Sequence, residues 1–492
     1  MKVVLTSAPF NDEWRLETPG KNDGYPLGIP YLHSYLESHG HEVHSLVNNH
    51  GELESYFHKV YESLREFNPD VVGLNFLSDN RSNSFKLIEY IRKNHSGVRI
   101  IIGGVHATTM FEQIVRKYPG IVAVLGEGEL TSAELLKYFE SGAPLNAVNG
   151  IAFMDQNGAD DAGKVVRTPP RELIKELDKL PFPHHDIFFH GGRTSAHILT
   201  SRGCPFLCTF CVTDASWRRK IRFRSVESII SEIEHLMETY PQLDSIFFAD
   251  DLFTINMNRV IAFCDEIVRR KIKLQFRCMT RFKPMSQEMI NAMARAGFVT
   301  VYFGLETASP KLLESSRKGI TQDAILQSWE KMKHSKLEFS VFLIVGLYGE
   351  TRETIRETVQ FIQKMQSIRY VSFCNPNILI VYPGSGIYDI AKEYGLLDDD
   401  YWLTDKHSPY FTCEHSLETL RDFSEELFDS ISINRFFTYA GFRNQWMMIP
   451  AIIKANLAGQ LDLARIIGGA IRSRNLRLYT MLKWVYMRLR RA

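Results

Sequence analysis

The chain has 492 residues, which is more than one hydrophobic core can hold, so two or three domains are expected. Its composition of 45% hydrophobic and 23% charged residues is ordinary for a globular protein and excludes a disordered chain. The formal net charge of +1 gives no sign of nucleic acid as a partner.

Residues 1–148 alternate short apolar runs with helix-length segments. The predicted strands are Val3–Leu5, Val43–Val47, Val71–Leu77, Ile100–Ile102 and Ile121–Leu125, with helices such as Glu52–Phe67 and Ser84–Asn94 between them. This order favours an α/β domain of Rossmann-like, flavodoxin-like type, in which a parallel sheet has helices on both faces. Ligands bind at the carboxyl ends of such strands. Those ends carry Ser78, Gly103, Gly104, Gly126 and Glu127.

A linker is predicted over 149–190, because this segment holds the polar stretch Asp155–Gly163 and four prolines. A second alternation of strands and helices follows over 191–400. The predicted strands are His197–Ser201, Asp244–Ala249, Lys273–Arg277, Val299–Phe303, Phe339–Val345 and Tyr370–Ile380. Six β/α units predict a partial (β/α)6 barrel, open on one side to a large substrate or a partner domain.

Three of the seven cysteines, Cys204, Cys208 and Cys211, fall within eight residues directly after the first barrel strand. Because no signal peptide or membrane-length apolar run is visible, we expect a cytoplasmic protein, in which such clustering favours metal over disulfides. Three thiolates in one loop can ligate three irons of a 4Fe–4S cubane and leave the fourth iron open. The alternative, a zinc site, needs a fourth ligand at motif spacing, and the next cysteine is Cys264.

The C-x3-C-x2-C loop after the first barrel strand resembles that of the radical S-adenosylmethionine superfamily. The resemblance implies that the open iron chelates the amine and carboxylate of S-adenosylmethionine. An electron from the cluster then breaks a sulfur–carbon bond and yields the 5′-deoxyadenosyl radical. An external electron donor of flavodoxin or ferredoxin type is implied as a partner. The backbone of Phe210 is expected to meet the adenine.

The ends of the later strands carry residues that the resemblance assigns to S-adenosylmethionine. Side chains alternate along a strand, so Tyr302, Gly304 and Glu306 share one face. A carboxylate on an inner face needs partners, which ribose hydroxyls or the ligand ammonium would provide. The alternative is an ion pair of Glu306 and Arg277 with each other or with Asp250. The expected S-adenosylmethionine contacts are Phe210, Asp250, Arg277, Gly304, Glu306 and Ser309.

The front domain resembles the cobalamin-binding domain of cobalamin-dependent radical enzymes. The resemblance rests on Pro26-Leu27-Gly28-x-x-Tyr31-Leu32, Gly40-His41-Glu42-Val43, Gly103-Gly104-Val105-His106 and Gly126-Glu127-Gly128-Glu129. It implies cobalamin as a cofactor, with contacts from Ser78, Gly103, Gly104, His106, Gly126 and Glu127. The motif Asp-x-His-x-x-Gly, whose His ligates cobalt, does not occur before residue 150. The domain is therefore expected to bind cobalamin without a His ligand, with His106 near the cofactor tail, or to have lost the cofactor.

Residues 401–492 are predicted to form a helical, basic region. From Arg435 to Arg491 there are eleven Lys or Arg against one acidic residue, Asp462. Such a segment suits a peripheral contact with an anionic membrane, which would favour a lipid-like substrate. The alternative is a helix packed on the barrel with a solvated basic face.

The predicted function is cobalamin-dependent methylation of an unactivated carbon in a small-molecule or lipid-like substrate, with S-adenosylmethionine as both radical source and methyl donor. One alternative is ring formation on the same scaffold, and another is a cobalamin-independent dehydratase, decarboxylase or epimerase. A third alternative, from another class, is an iron–sulfur or cobalamin-binding sensor. It is disfavoured because the strand ends carry ligand-type residues that a sensor would not need.

Overall fold

The computed structural model describes residues 1–10, 26–47, 53–155, 163–189, 192–282, 285–373 and 376–438. Cys374 and the basic segment from 439 onward lie outside these residues, so the alternatives for the tail stay predictions. The chain divides into two compact units. The first comprises 1–279, 295–297 and 380–410, and the second comprises 280–294, 298–379 and the described residues from 411. None of the helices in the described ranges is long and apolar enough to cross a membrane.

Sixteen strands are found in the described part of the chain, several of only two residues. They are β1 (Lys2–Ser7), β2 (Glu42–Val47), β3 (Val71–Asn75), β4 (Arg99–Gly103), β5 (Val122–Val124), β6 (Ile151–Asp155), β7 (Lys164–Arg167), β8 (Ser195–Ile198), β9 (Ser201–Arg202), β10 (Arg222–Phe223), β11 (Ser245–Phe248), β12 (Gln275–Thr280), β13 (Phe298–Glu306), β14 (Glu338–Val345), β15 (Ser372–Phe373) and β16 (Asn377–Ile378).

Fifteen α-helices accompany them in the same ranges. They are α1 (Gly28–Ser38), α2 (Leu53–Phe67), α3 (Arg81–Asn94), α4 (Val105–Thr109), α5 (Phe111–Lys117), α6 (Glu129–Ser141), α7 (Thr213–Trp217), α8 (Val226–Thr239), α9 (Met257–Arg269), α10 (Gln287–Ala296), α11 (Pro310–Ser315), α12 (Gln322–Lys331), α13 (Arg352–Ile368), α14 (Gly386–Glu393) and α15 (Leu417–Thr438).

The front sheet confirms the predicted Rossmann-like architecture. Its strand order is β2-β1-β3-β4-β5-β6-β7, and its first five strands are parallel. The predicted linker over 149–190 differs from the structure, because it begins with β6 and β7, which extend this sheet as an antiparallel pair. The polar stretch taken as linker separates two short strands, of which the first buries Ile151 and Ala152. Sequence composition alone does not distinguish such a hairpin from a linker.

Two hydrophobic cores cover the two faces of the front sheet. Val4, Val72 and Ile102 pack with Val60 and Leu64 of α2 on one face. Their neighbours along the strands, including Val3, Leu5 and Ile101, pack with α1 and α6 on the other. Each buried aliphatic side chain contributes about 1.5–3 kcal/mol. With both faces covered, the carboxyl ends of the strands, which carry Gly103 and Gly126, are where a ligand is expected to bind.

The barrel strands are present and parallel within each unit. In the first unit β11 pairs with β8 and β12, and in the second β14 pairs with β13, β15 and β16. The predicted first strand ends early, at Ile198, because the Thr200 amide donates to Asp250 rather than to a neighbouring strand. Among the described residues of the predicted sixth strand, Tyr370–Ile380, only β15 and β16 are strands. Pro376, just before β16, cannot donate a ladder hydrogen bond.

Candidate functional site

The three predicted cluster ligands lie on the loop between β9 and α7. All three side chains are half-buried, whereas Cys264 and Cys278 are fully buried in the core. The amide of Cys211 donates to the carbonyl of Cys208 over 3.1 Å, which folds the end of the loop into a turn. The loop therefore presents its thiols at the surface of the first unit rather than in its core.

The donor set fits a cluster better than a single ion. Among the described residues, the three cysteine sulfurs do not form a group whose atoms all lie within 4.8 Å of one another, as ligands of one zinc would. A cubane offers a separate iron to each thiolate. Burial, together with the nearby Asp251, Cys211 and Cys208, raises the pKa of Cys204 to about 11. A raised pKa favours the protonated thiol, but a bound metal cation reverses this and deprotonates the thiols that coordinate it.

Gly203 sets the path of the chain into the cysteine loop. Its φ is +102°, a conformation that L side chains rarely adopt. A Cβ at this position would lie 2.0 Å from the carbonyl oxygen of Lys220 and 3.2 Å from the Cβ of Trp217. Only glycine therefore lets the strand β9 pass this close to the turn before β10 and still deliver Cys204.

We expect Gly203→Ala to remove most of the bound iron and to destabilise the first unit by about 2–5 kcal/mol, because it adds left-handed strain and a backbone clash. Iron content after anaerobic reconstitution and the melting temperature measure this. Gly395→Ala is the matched control, since Gly395 also has positive φ but has open space around its Cβ. Equal iron content in the two variants would contradict the role of Gly203.

Of the two consecutive aspartates after β11, Asp250 is fully buried. Its carboxylate accepts hydrogen bonds from the Thr200 amide at 2.6 Å, the Thr200 hydroxyl at 2.5 Å and the Ser201 hydroxyl at 2.5 Å. The Nη2 atom of Arg259 lies 3.7 Å away. The structure thus gives Asp250 a packing role, holding the segment that leads to the cysteine loop, in place of the predicted cofactor contact.

Asp251 is exposed and was not among the residues predicted from the sequence to contact a cofactor. Its carboxylate accepts a hydrogen bond from the Gly203 amide and lies close enough to Cys204 to raise the pKa of that thiol. Successive residues of an extended chain point to opposite sides, so only one of two consecutive aspartates can face the loop. This alternation in the sequence predicts that one of the two aspartates faces the cysteine loop. The sequence does not show which of the two it is.

In the second unit, β13 confirms the predicted alternation. Phe303 and Leu305 are buried, whereas Tyr302, Gly304 and Glu306 are partly accessible. Glu306 has a φ of +56° at a bulge in β13, and its carboxylate forms an ion pair with Lys318. A Cβ on Gly304 would lie 2.5 Å from Glu306 Oε1, so this glycine makes room for the carboxylate.

The other predicted S-adenosylmethionine contacts differ in burial and in their hydrogen bonds within the protein. Arg277 is half-buried on β12, and its Nη2 lies 3.3 Å from Gln275 Oε1. Ser309 is buried and donates to Glu357 Oε2 over 2.5 Å, so its hydroxyl is occupied within the protein. Phe210 is half-buried in the cysteine loop. Arg277 and Phe210 therefore remain predicted cofactor contacts.

A buried ion-pair network joins the front sheet to the cysteine loop within the first unit. Arg202, two residues before Cys204, donates to Glu127 Oε1 at 2.8 Å and to Glu129 Oε1 at 2.6 Å. Arg222 donates to Glu127 Oε2 at 2.7 Å. The charged ends of Arg202, Glu127 and Glu129 are almost fully buried. We call Arg202, Arg222, Glu127 and Glu129 the arginine–glutamate strut.

Glu127, which was predicted to contact cobalamin, is part of this strut. Both of its carboxylate oxygens are engaged, because the Ile174 amide also donates to Oε2 over 2.9 Å. The structure therefore gives Glu127 a positioning role between the front domain and the loop. Its neighbour Gly126 has a φ of +80° and open space around its Cβ, so the backbone there remains accessible.

The glycines after β4 have two different roles. A Cβ on Gly104 would lie 2.6 Å from Asn75 Oδ1 and 2.8 Å from the Phe76 carbonyl, so this glycine is needed for packing against β3. Gly103 would meet nothing closer than 3.9 Å. Together with Gly126 it leaves a strand edge without side chains, which fits the approach of a large flat ligand such as cobalamin.

His106 lies in the core of the front domain. Its Nδ1 is 2.9 Å from the hydroxyl of Ser78, and its ring stacks on Phe76 and meets Trp402 edge-on. Burial, with a smaller effect of the Arg81 charge, lowers the pKa of His106 to about 3. The ring therefore offers no exposed nitrogen to a cobalt ion, and Ser78 is partly occupied by it.

We expect the protein to lose stability in acid partly through His106. In the unfolded chain His106 has a pKa of 6.5, whereas in the native state its pKa is about 3. Between these two pH values the unfolded state therefore holds more protons than the native state. The free energy of unfolding then falls by up to about 1.4 kcal/mol for each pH unit of acidification. His106→Gln should lessen the drop in melting temperature between about pH 7 and about pH 5. His334→Gln is the control, because His334 is exposed, and it should leave the drop in melting temperature unchanged. Equal drops in melting temperature for the two variants would contradict the prediction.

The segment 380–410 binds back onto the front domain and the cysteine loop. The Tyr382 hydroxyl donates to Asp79 Oδ2 over 3.0 Å, and Ser408 donates to Asp79 Oδ1 over 2.8 Å. The Ile387 amide donates to the Thr209 carbonyl over 2.9 Å. Asp79, in the loop after β3, thereby anchors a segment that also contacts the cysteine loop.

This chain thus combines an iron–sulfur loop on a partial barrel with a Rossmann-like domain that has an open strand edge. Residues 198–362 match the Radical SAM superfamily, and residues 18–136 match the B12 binding domain. The chain is 31% identical over 409 residues to "Uncharacterized methyltransferase PH0819" of Pyrococcus horikoshii, covering 82% of this chain and 85% of that protein. It therefore belongs to the radical S-adenosylmethionine enzymes that carry a B12 binding domain, and its cofactors are a 4Fe–4S cluster, S-adenosylmethionine and cobalamin.

Two further proteins are similar. The anaerobic magnesium-protoporphyrin IX monomethyl ester cyclase of Rubrivivax gelatinosus is 28% identical over 351 residues, which cover 68% of this chain and 61% of that protein. The solved structure of the cobalamin-dependent S-adenosylmethionine radical enzyme OxsB, with aqua-cobalamin and S-adenosylmethionine bound, has a TM-score of 0.70 at 18% identity, covering 98% of this chain and 75% of that chain. The structural similarity to OxsB shows that the two chains share a fold.

Proposed function

We propose that the protein transfers a methyl group from S-adenosylmethionine, by way of cobalamin, to an unactivated carbon of a small-molecule substrate. The similarity to the Pyrococcus horikoshii protein, whose name denotes a methyltransferase, carries this proposal, because it spans both the front domain and the barrel. The arginine–glutamate strut supports it, since buried ion pairs fix the front domain to the segment before the cysteine loop.

When bound, the cluster with S-adenosylmethionine supplies a hydrogen-abstracting radical, and cobalamin supplies a transferable methyl group. Cys204, Cys208 and Cys211 would hold the cluster. Asp251, beside the loop, would accept a hydrogen bond from the ligand ammonium, and Arg277 on β12 would pair with its carboxylate. An external one-electron donor is required for the reaction.

Ring formation is the second candidate, and the similarity to the Rubrivivax gelatinosus cyclase favours it. The two reactions differ in their stoichiometry. Methyl transfer consumes one S-adenosylmethionine as radical source, giving methionine and 5′-deoxyadenosine, and a second as methyl donor, giving S-adenosylhomocysteine. Ring formation by hydrogen abstraction needs only the first.

The test is to incubate anaerobically reconstituted, cobalamin-loaded protein with S-adenosylmethionine and a reductant, and to quantify both products by mass spectrometry. We expect cobalamin-dependent release of S-adenosylhomocysteine as well as 5′-deoxyadenosine. Protein reconstituted without cobalamin is the control and should release only 5′-deoxyadenosine. If the loaded enzyme also releases 5′-deoxyadenosine alone, the methyl-transfer proposal fails and ring formation is favoured.

A further inference from the structure

A group of two histidines and one glutamate lies in the first unit, outside the residues assigned above to a cofactor. His33 and Glu37 are one turn apart on α1, and His33 Nε2 is 3.3 Å from Glu37 Oε1. The ring of His184, from the segment after β7, stacks on His33 with centroids 3.9 Å apart and planes 5° apart. One ligand atom from each of the three residues lies within 4.8 Å of the other two.

We propose that His33, Glu37 and His184 bind a divalent transition metal ion, with Zn²⁺ as the expected occupant. Imidazole nitrogens and a carboxylate oxygen are ligands that zinc takes, and three protein ligands with water in the fourth position complete a tetrahedral site. Asp186 adds a carboxylate within reach, since its Oδ2 lies 3.8 Å from His184 Nε2. Because the two imidazole rings are stacked in this structure, binding requires the exposed ring of His184 to turn until one of its nitrogens faces the ion.

Hydrogen bonds around the group hold His33 and the backbone of His184 in place, as is common for the histidines of metal sites. The Ser45 hydroxyl lies 2.7 Å from His33 Nδ1, which leaves Nε2 for Glu37 and an ion. A hydrogen bond to the second ring nitrogen fixes the tautomer and orientation of a metal-bound histidine. The His184 amide donates to the Pro30 carbonyl over 3.1 Å, so the backbones that carry the ligands are already joined.

The site is accessible to an ion from solvent. The His33 side chain is buried, but those of His184 and Glu37 are 32% and 48% exposed. A bound ion would cross-link α1 of the front domain to the segment that leads to β8. Its expected role is therefore to fix this connection, independently of the cysteine loop and of the reaction proposed above.

The experiment is dialysis of cluster-reconstituted protein against ZnCl₂, followed by metal analysis by mass spectrometry. Wild type should retain one more zinc per chain than the variant His33→Gln/His184→Gln. His39→Gln, at the end of the same helix, is the matched control and should retain the wild-type amount. Cys204→Ala/Cys208→Ala/Cys211→Ala should also keep this zinc, which separates the site from the cysteines. Equal zinc in wild type and the double histidine variant would overturn the proposal.

Two further measurements keep the test decisive if the double variant folds poorly. Ser45→Ala keeps all three ligands and should weaken zinc binding about tenfold to a hundredfold, because it removes the orienting hydrogen bond. Co²⁺ added to the cysteine-free variant should give visible absorption bands of nitrogen and oxygen ligation. Unchanged affinity in Ser45→Ala together with no Co²⁺ bands would show that these residues form only a surface ion pair.

Discussion

Arg202→Met should destabilise the protein by about 3–5 kcal/mol, because it leaves two buried carboxylates without their shared partner. Arg202 donates to Glu127 at 2.8 Å and to Glu129 at 2.6 Å, and all three side chains are at most 7% exposed. Arg222 remains to compensate Glu127, but Glu129 loses its counter-charge. We expect iron content to fall as well, since Arg202 lies two residues before Cys204 and fixes the start of the loop.

Melting temperature and iron content of reconstituted protein measure this prediction. Arg219→Met is the matched control, because Arg219 pairs with Asp214 at 3.1 Å where both side chains are largely exposed, and such pairs are worth about 0–1 kcal/mol. The double variant Arg202→Met/Glu129→Gln should recover part of the loss by removing the uncompensated charge. If Arg202→Met and Arg219→Met melt alike, the strut contributes nothing to stability or to loop position.

Features encoded locally in the sequence were predicted correctly. The front sheet follows from apolar runs separated by helix-length segments, and helices α2 and α3 end at Phe67 and Asn94, where the sequence predicted them to end. The cysteine loop was recognisable because three cysteines within eight positions are typical of a metal site. The alternation on β13 likewise placed Glu306 and Gly304 on the accessible face.

Features that depend on contacts distant in sequence were not predictable. Glu127 was assigned to cobalamin because it follows a strand end, but its partners Arg202 and Arg222 are 75 and 95 residues away. Glu306 was expected to contact a ligand, Arg277 or Asp250, and the structure pairs it with Lys318. Nothing in the local pattern distinguishes a carboxylate that binds a ligand from one that an arginine or lysine neutralises.

Replacing Cys204, Cys208 and Cys211 by Ala should abolish the cluster and the reductive cleavage of S-adenosylmethionine. Each thiolate is expected to hold a different iron, so wild type should bind about four irons per chain and the triple variant close to none. The change is local, because the three side chains are only half-buried and the remaining core is untouched. Cobalamin binding by the front domain should therefore persist.

Iron and sulfide analysis, the absorption of the cluster and the yield of 5′-deoxyadenosine test this prediction together. Cys413→Ala is the matched control, since Cys413 is also half-buried but lies far from the triplet in sequence. It should keep both the cluster and the activity. Wild-type iron content in the triple variant would show that the cluster is not bound by this loop. If the wild type instead holds one zinc per chain and no iron, and the triple variant loses that zinc, the loop is a structural zinc site.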